Sequence, residues 1–346
     1  GKMTTGQRLS DHPCYGLMVA AGYGTISITI TLFNKAVFSY YGFKFPLTLF
    51  VAQMLFSLLF VSGLKFISPE RFGFPNFQFA TAKKLLPMAL GWWVYGISGV
   101  IALKYLNVPM FSAFRRFTTI IVMLGEYRFR GRLPPRNQQL AVVIMCAGAA
   151  LAGLTDITFN LVGYFWVSVC AASTALYLLF IDKLGRESGL NDFGLLFYNN
   201  VLSFPFMLLS WAVSGELEGV LRYPHLREFN FQAFFLVSAA QAFLLNFFIF
   251  FCTRVNSPLV TSVTGTVKDL VTNVLGMTLF GDFPFNTVNM LSIGVCFGGS
   301  AWYSRLKYLA SAHAALPPVD EDAHNSKSSS ALKLMEEGKA ADKLPE

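Results

Sequence analysis

Lys268 lies in the run Pro258–Phe280, where Asp269 is the only other charged residue. An ammonium group in hydrocarbon costs at least a few kcal/mol, so this lysine has to face protein or water. Read as a helix, with residues three and four apart on one face, the run places Thr261, Thr264, Gly265 and Lys268 on a small, polar stripe. Ser262, Thr266, Asp269 and Asn273 form the adjoining stripe, and Asp269 points about 100° away from Lys268. The lysine either closes an ion pair elsewhere in the bundle or binds an anionic solute.

Arg115 and Arg116 raise the same question in FSAFRRFTTIIVMLGE, Phe111 to Glu126. Guanidinium forks suit phosphate oxygens. One arginine can snorkel or pair with Glu126, which leaves the other for a solute. Ser112 and Thr119 extend a polar face on the side of Arg115, which favours Arg115 as the one that points inward. Tyr198, Asn199 and Asn200 sit in LLFYNN. Amides donate and accept, so they can read the edge of a nucleobase, although amide contacts between helices give the same pattern. Asn34 and Lys35 stand near the end of the first apolar run, where a lysine either snorkels or joins a polar interior.

Absences narrow the chemistry. The sequence has no GxxxxGK[ST] for ATP, no HExxH, and no filter loop of the kind channels use. Its histidines, His12, His225, His313 and His324, lie outside the apolar runs, and Cys146, Cys170, Cys252 and Cys296 read as small buried hydrophobes. No metal or cofactor is expected, and an enzyme is disfavoured. A secondary transporter with a cationic, amide-lined cavity remains.

The elements that must position these residues are membrane helices. Hydrophobic residues make up 54% of the chain and charged residues 13%, against roughly 25% charged in a soluble domain. The net charge of +8 reports membrane orientation and not nucleic-acid binding. Apolar runs predict an all-α polytopic protein with about ten spans. They lie near 15–39, 45–67, 84–104, 108–128, 138–155, 161–182, 193–214, 232–253, 258–280 and 286–307. Residues 1–14 then form an N-terminal segment, 15–307 the transporter domain, and 308–346 a polar, disordered tail. Lys65, Lys83, Lys84, Arg128, Arg130, Arg136, Lys183, Arg186 and Arg254 all fall on one side of such a bundle, and only Lys44, Lys104, Arg222 and Arg227 on the other. The basic side is cytosolic, and an even span count returns both termini to it. The arginine pair and Lys268 each occupy the fourth span of a five-span half, 15–155 and 161–307, as in inverted repeats. Gly294 and Gly298 give the last span a small-residue face, for packing within the bundle or in a homodimer.

In combination, FYNN, VNSPLVTSVTGTVKD and FRRFTTIIVMLGE resemble the nucleotide-sugar transporters of solute carrier family 35, from about Gly16 to Tyr308. The resemblance implies two inverted five-helix halves, Golgi or ER residence, and exchange of a nucleotide sugar for a nucleoside monophosphate across the bilayer. It implies that Tyr198, Asn199 and Asn200 face the nucleobase, that Gly265 and Lys268 face sugar and phosphates, and that Arg115 or Arg116 supplies a further cation. One departure bears on the cargo. GDP-mannose transporters carry a GALNK-like sequence where this chain has GTVKD. The missing asparagine, and the aspartate after the lysine, favour the UDP-sugar branch that handles UDP-N-acetylglucosamine, UDP-glucuronate or UDP-N-acetylgalactosamine. A GDP-sugar antiporter is the alternative. A non-transporting membrane scaffold is the alternative of a different class.

Overall fold

The computed structural model describes residues 15–106, 108–131, 133–154, 160–280 and 287–314. Among them the regular structure is helical, with no strand: α1 Tyr15–Ser39, α2 Pro46–Ile67, α3 Pro69–Phe72, α4 Phe79–Tyr105, α5 Val108–Phe114, α6 Phe117–Arg130, α7 Arg136–Leu154, α8 Leu161–Ser188, α9 Asp192–Ser214, α10 Glu216–Leu221, α11 Phe229–Val255, α12 Pro258–Phe280 and α13 Thr287–Ala314. Six of these, α2, α4, α7, α8, α9 and α11, are long and apolar enough to cross a membrane. Their outward faces carry large exposed apolar residues, such as Leu59 on α2, Leu209 on α9 and Leu236 on α11. A lipid-facing surface requires this, because hydrocarbon offers polar side chains no hydrogen-bond partners. The chain is an all-helical polytopic membrane protein.

Local signals start and stop the helices. The Asn160 side chain accepts a hydrogen bond from the Gly163 N–H at 3.0 Å and opens α8, and Asn191 does the same for α9 through Gly194 at 2.8 Å. Gly131 ends α6 at a φ of 65°, a left-handed position that glycine takes without strain. Between α9 and α11 the sequence predicts only a polar loop, but the segment folds as α10 and a 3-10 turn at Pro224–Arg227. It also caps α2: Glu216 Oε2 accepts from the Thr48 N–H at 2.8 Å and Oε1 from the Leu47 N–H at 3.2 Å.

The expected continuous helix over 108–128 is broken. Arg115 and Arg116 form a turn between α5 and α6, in which the N–H of Arg116 bonds the carbonyl of Ala113, Thr118 that of Arg115, and Thr119 that of Arg116. These i to i−3 bonds keep the backbone satisfied while tightening the coil. In a regular helix neighbouring arginines diverge by about 100°, so one would leave the polar interior. At this turn both instead line one cavity. One other boundary differs, and so does one packing face. Helix α13 runs past Lys307 to Ala314. Gly294 and Gly298 face open space, and the close approach of α7 to α13 uses other glycines. A Cβ on Gly148 would come within 2.5 Å of the Cys296 backbone nitrogen, and one on Gly299 within 2.8 Å of that of Met145.

Candidate functional site

Helices α1, α4, α8, α11 and α12 and the α5–α6 turn surround a cavity with about 650 Å³ of free space, counting its open mouth. α12 supplies Thr261, Ser262, Gly265, Lys268 and Asp269, which recur at helical spacing on one side. Tyr23 and Ser27 come from α1, Tyr95 from α4, Thr174 and Tyr177 from α8, and Arg115, Arg116 and Thr118 from the broken span. A Cβ on Gly265 would meet the Tyr23 hydroxyl at 3.6 Å, an ordinary contact, so the two lie side by side on the cavity wall.

Both arginines line the cavity, which corrects the expectation that only one can face it. Arg115 lies over two rings, 5.5 Å from that of Tyr95 and 5.7 Å from that of Phe111. Arg116 is buried, with its guanidinium 4.8 Å from the Phe297 ring. Asp269 is the second correction. It does not point away from the lysine. Its Oδ1 lies 3.2 Å from Lys268 Nζ and its Oδ2 3.8 Å from Arg116 Nη1. The lysine stem carries four rotatable bonds, so its ammonium reaches a neighbour that the helical angle alone sets apart. Three cations face one carboxylate, which leaves two positive charges in the cavity.

Polar side chains join α12 to its neighbours. Thr119 and Ser262 share a hydrogen bond of 2.9 Å, and the hydroxyls of Thr253 and Thr261 one of 3.1 Å. At the start of α12, Glu126 Oε1 on α6 accepts the Leu259 N–H at 3.0 Å. This carboxylate meets the positive end of the helix dipole.

The remaining expected site residues lie elsewhere. Thr264 turns toward α1, with its methyl 3.8 Å from where a Cβ on Gly24 would stand. Asn34 belongs to a polar knot in which Ser238 Oγ donates to Asn34 Oδ1 at 2.6 Å and Gln53 Nε2 donates to Ser238 Oγ at 3.0 Å. The Lys35 side chain is outside the described residues. Tyr198, Asn199 and Asn200 are buried but do not line the cavity. The Tyr198 hydroxyl accepts from the Gln78 N–H at 2.8 Å, and Asn200 Nδ2 donates to Ser57 Oγ at 2.7 Å. Asn199 is fully buried with neither amide atom hydrogen-bonded. Sequence reasoning missed Tyr23, Tyr95 and Tyr177. Their only signal is a hydroxyl within an apolar run.

A profile of the triose-phosphate transporter family matches residues 15–304. The chain belongs to that family. It is accordingly a transporter and not an enzyme. It is 34% identical over 304 residues to the UDP-N-acetylglucosamine transporter UGNT1 of Arabidopsis thaliana, covering 85% of this chain and 88% of that protein. It is 32% identical to the mouse nucleotide sugar transporter SLC35D2, over 88% of this chain and 93% of that one. A GDP-fucose transporter of Dictyostelium discoideum matches at 26% identity over 84% of this chain and 80% of that protein. A solved crystal structure aligns with a TM-score of 0.58 at 12% identity, over 84% of this chain and 96% of that one. That likeness is one of fold. The resemblance to solute carrier family 35, on its UDP-sugar side, stands.

Proposed function

We propose that this transporter carries a UDP-sugar from the cytosol into the Golgi or ER lumen in exchange for UMP. The carrying observation is the cavity's charge. Arg115, Arg116 and Lys268 against Asp269 leave two positive charges. A UDP-sugar has two negative charges on its diphosphate, and a phosphate monoester such as UMP approaches two near pH 7. Each leg of the exchange then neutralises the cavity to the same extent. UDP-N-acetylglucosamine leads the candidates, since a UDP-N-acetylglucosamine transporter is among the relatives, and UDP-glucuronate and UDP-N-acetylgalactosamine follow.

We infer ten spans in two inverted halves, with α5 and α6 sharing the fourth, and both termini cytosolic. Support comes from the helix order: α3 and α10 are too short to cross and leave five spans on each side of the α7–α8 connection. Lys268 and the arginines hold the phosphates. The amides of Asn199 and Asn200 meet the base in a conformation in which α9 parts from α2 and α4. A buried amide without partners is costly within the fold, and a base would supply what Asn199 lacks. The open glycine face of α13 suits a second copy of the chain.

The test is thermal stabilisation of the purified protein by UMP, UDP, GMP and GDP. Stabilisation by the uridine pair above the guanosine pair is expected. The reverse order favours a GDP-sugar, a reading that the GDP-fucose relative supports. Indifference to all four refutes nucleotide transport and leaves a scaffold.

A further inference from the structure

Asp269 is the one carboxylate among the described residues that line the cavity. Each of its oxygens addresses a different cation, Lys268 at 3.2 Å and Arg116 at 3.8 Å. Two oxygens of one phosphate would engage the same two groups in the same way. Arg116 belongs to the α5–α6 turn, whereas Lys268 and Asp269 belong to α12, so the carboxylate also ties these two elements together. A nucleotide that enters the cavity has to compete with Asp269 for both cations.

We propose that Asp269 is a built-in counter-anion, which holds Arg116 and Lys268 on the step of the cycle that carries no nucleotide, so that exchange is favoured but not obligatory. The proposal rests on the nucleotide exchange set out above. To reorient, the transporter must close its cavity. Closing around cations that have lost both water and counter-charge is strongly unfavourable. If cargo alone paired these cations, the unloaded transporter would be locked on one side. With Asp269 present, Arg116 and Lys268 keep a partner, and Arg115 keeps the faces of Tyr95 and Phe111. Return without cargo is then slowed and not forbidden. Cargo still prevails when it is present. It brings two charges where the carboxylate has one, and the Asp269–Arg116 contact, at 3.8 Å, is longer than a hydrogen bond.

The experiment uses the full chain in proteoliposomes, with labelled UMP as probe and labelled GMP in parallel, so that it does not depend on the identity of the sugar. Wild type is expected to take up label into vesicles loaded with the same unlabelled nucleotide, and more slowly, but measurably above protein-free vesicles, into unloaded ones. Asp269→Asn keeps the shape and removes the charge, and should raise the loaded-to-unloaded ratio by about tenfold or more. Asp269→Glu restores the carboxylate and should return the ratio toward wild type. Wild-type uptake that is strictly confined to loaded vesicles overturns the proposal, and this comparison decides even where a variant fails to fold. An unaltered ratio in Asp269→Asn also overturns it, while leaving nucleotide exchange intact. If neither label enters loaded vesicles, nucleotide exchange itself falls, and the counter-anion falls with it.

Discussion

Replacing Lys268 with Met separates its two partners, the aspartate beside it and the phosphate of the solute. The substitution keeps length and removes charge. Asp269 loses its 3.2 Å contact and keeps only Arg116 at 3.8 Å. Stranding a fully buried charge costs about 3–5 kcal/mol. Here a second cation remains and the pair is partly exposed, so about 1–2 kcal/mol is the reasonable loss. That lowers the melting temperature by a few degrees, at about 2–4 °C per kcal/mol for chains of this order of size. The effect on solute is larger. A charge-assisted hydrogen bond contributes about 1.5–3 kcal/mol, so affinity for UMP and for GMP should each fall about 10- to 150-fold. Melting followed by tryptophan fluorescence, nucleotide titration and proteoliposome exchange read these separately. The double variant Lys268→Met/Asp269→Asn removes the stranded carboxylate and should recover the melting temperature without recovering exchange. Recovery of exchange in the double variant would refute the reasoning, because the lysine would then serve only the aspartate.

Arg115→Ala and Arg116→Ala should both impair exchange, and Arg116→Ala should also lower the melting temperature, since it takes a partner from Asp269. Asn200→Ala strands the Ser57 hydroxyl and should cost about 1 kcal/mol, whereas Asn199→Leu removes an unpaired amide and should raise thermal stability while changing the UMP-to-GMP ratio in competition assays. Glu216→Ala uncaps α2 and should cost about 1 kcal/mol, read as earlier melting with nucleotide affinity retained. Gly148→Leu has no room against the α13 backbone, and loss of monodispersity on size exclusion is the expected result.

Much of this site is legible in one dimension. α12 is bounded by Pro258 and Phe280 as the composition suggests, and its threonines, Gly265 and Lys268 mark it as a helix that cannot be wholly lipid-facing. The break at Arg115–Arg116 is not legible, because no glycine or proline announces it. The Lys268–Asp269 contact escapes a helical-wheel argument for another reason. A wheel places Cβ atoms, and a long side chain ends far from its own. FYNN shows the converse limit. The motif picks out residues, but which of them meet a cavity depends on how α9 sits against α2 and α4, and no local pattern encodes that.

Glu126 fastens the first turn of α12 to α6, and the consequence is mechanical. From Leu259 to Asp269 the helix forms an arm of about 15 Å, at about 1.5 Å per residue. A tilt of about 10° around that fastened end displaces Asp269 sideways by about 2.5 Å. The contact with Arg116, already 3.8 Å long, does not survive such a displacement. Lys268 rides on the same arm, so its bond to Asp269 travels with it unbroken. A slight swing at the fastened end is thereby amplified into the making or breaking of a single inter-helix charge contact in the cavity. The lever and the lock that it operates belong to one helix.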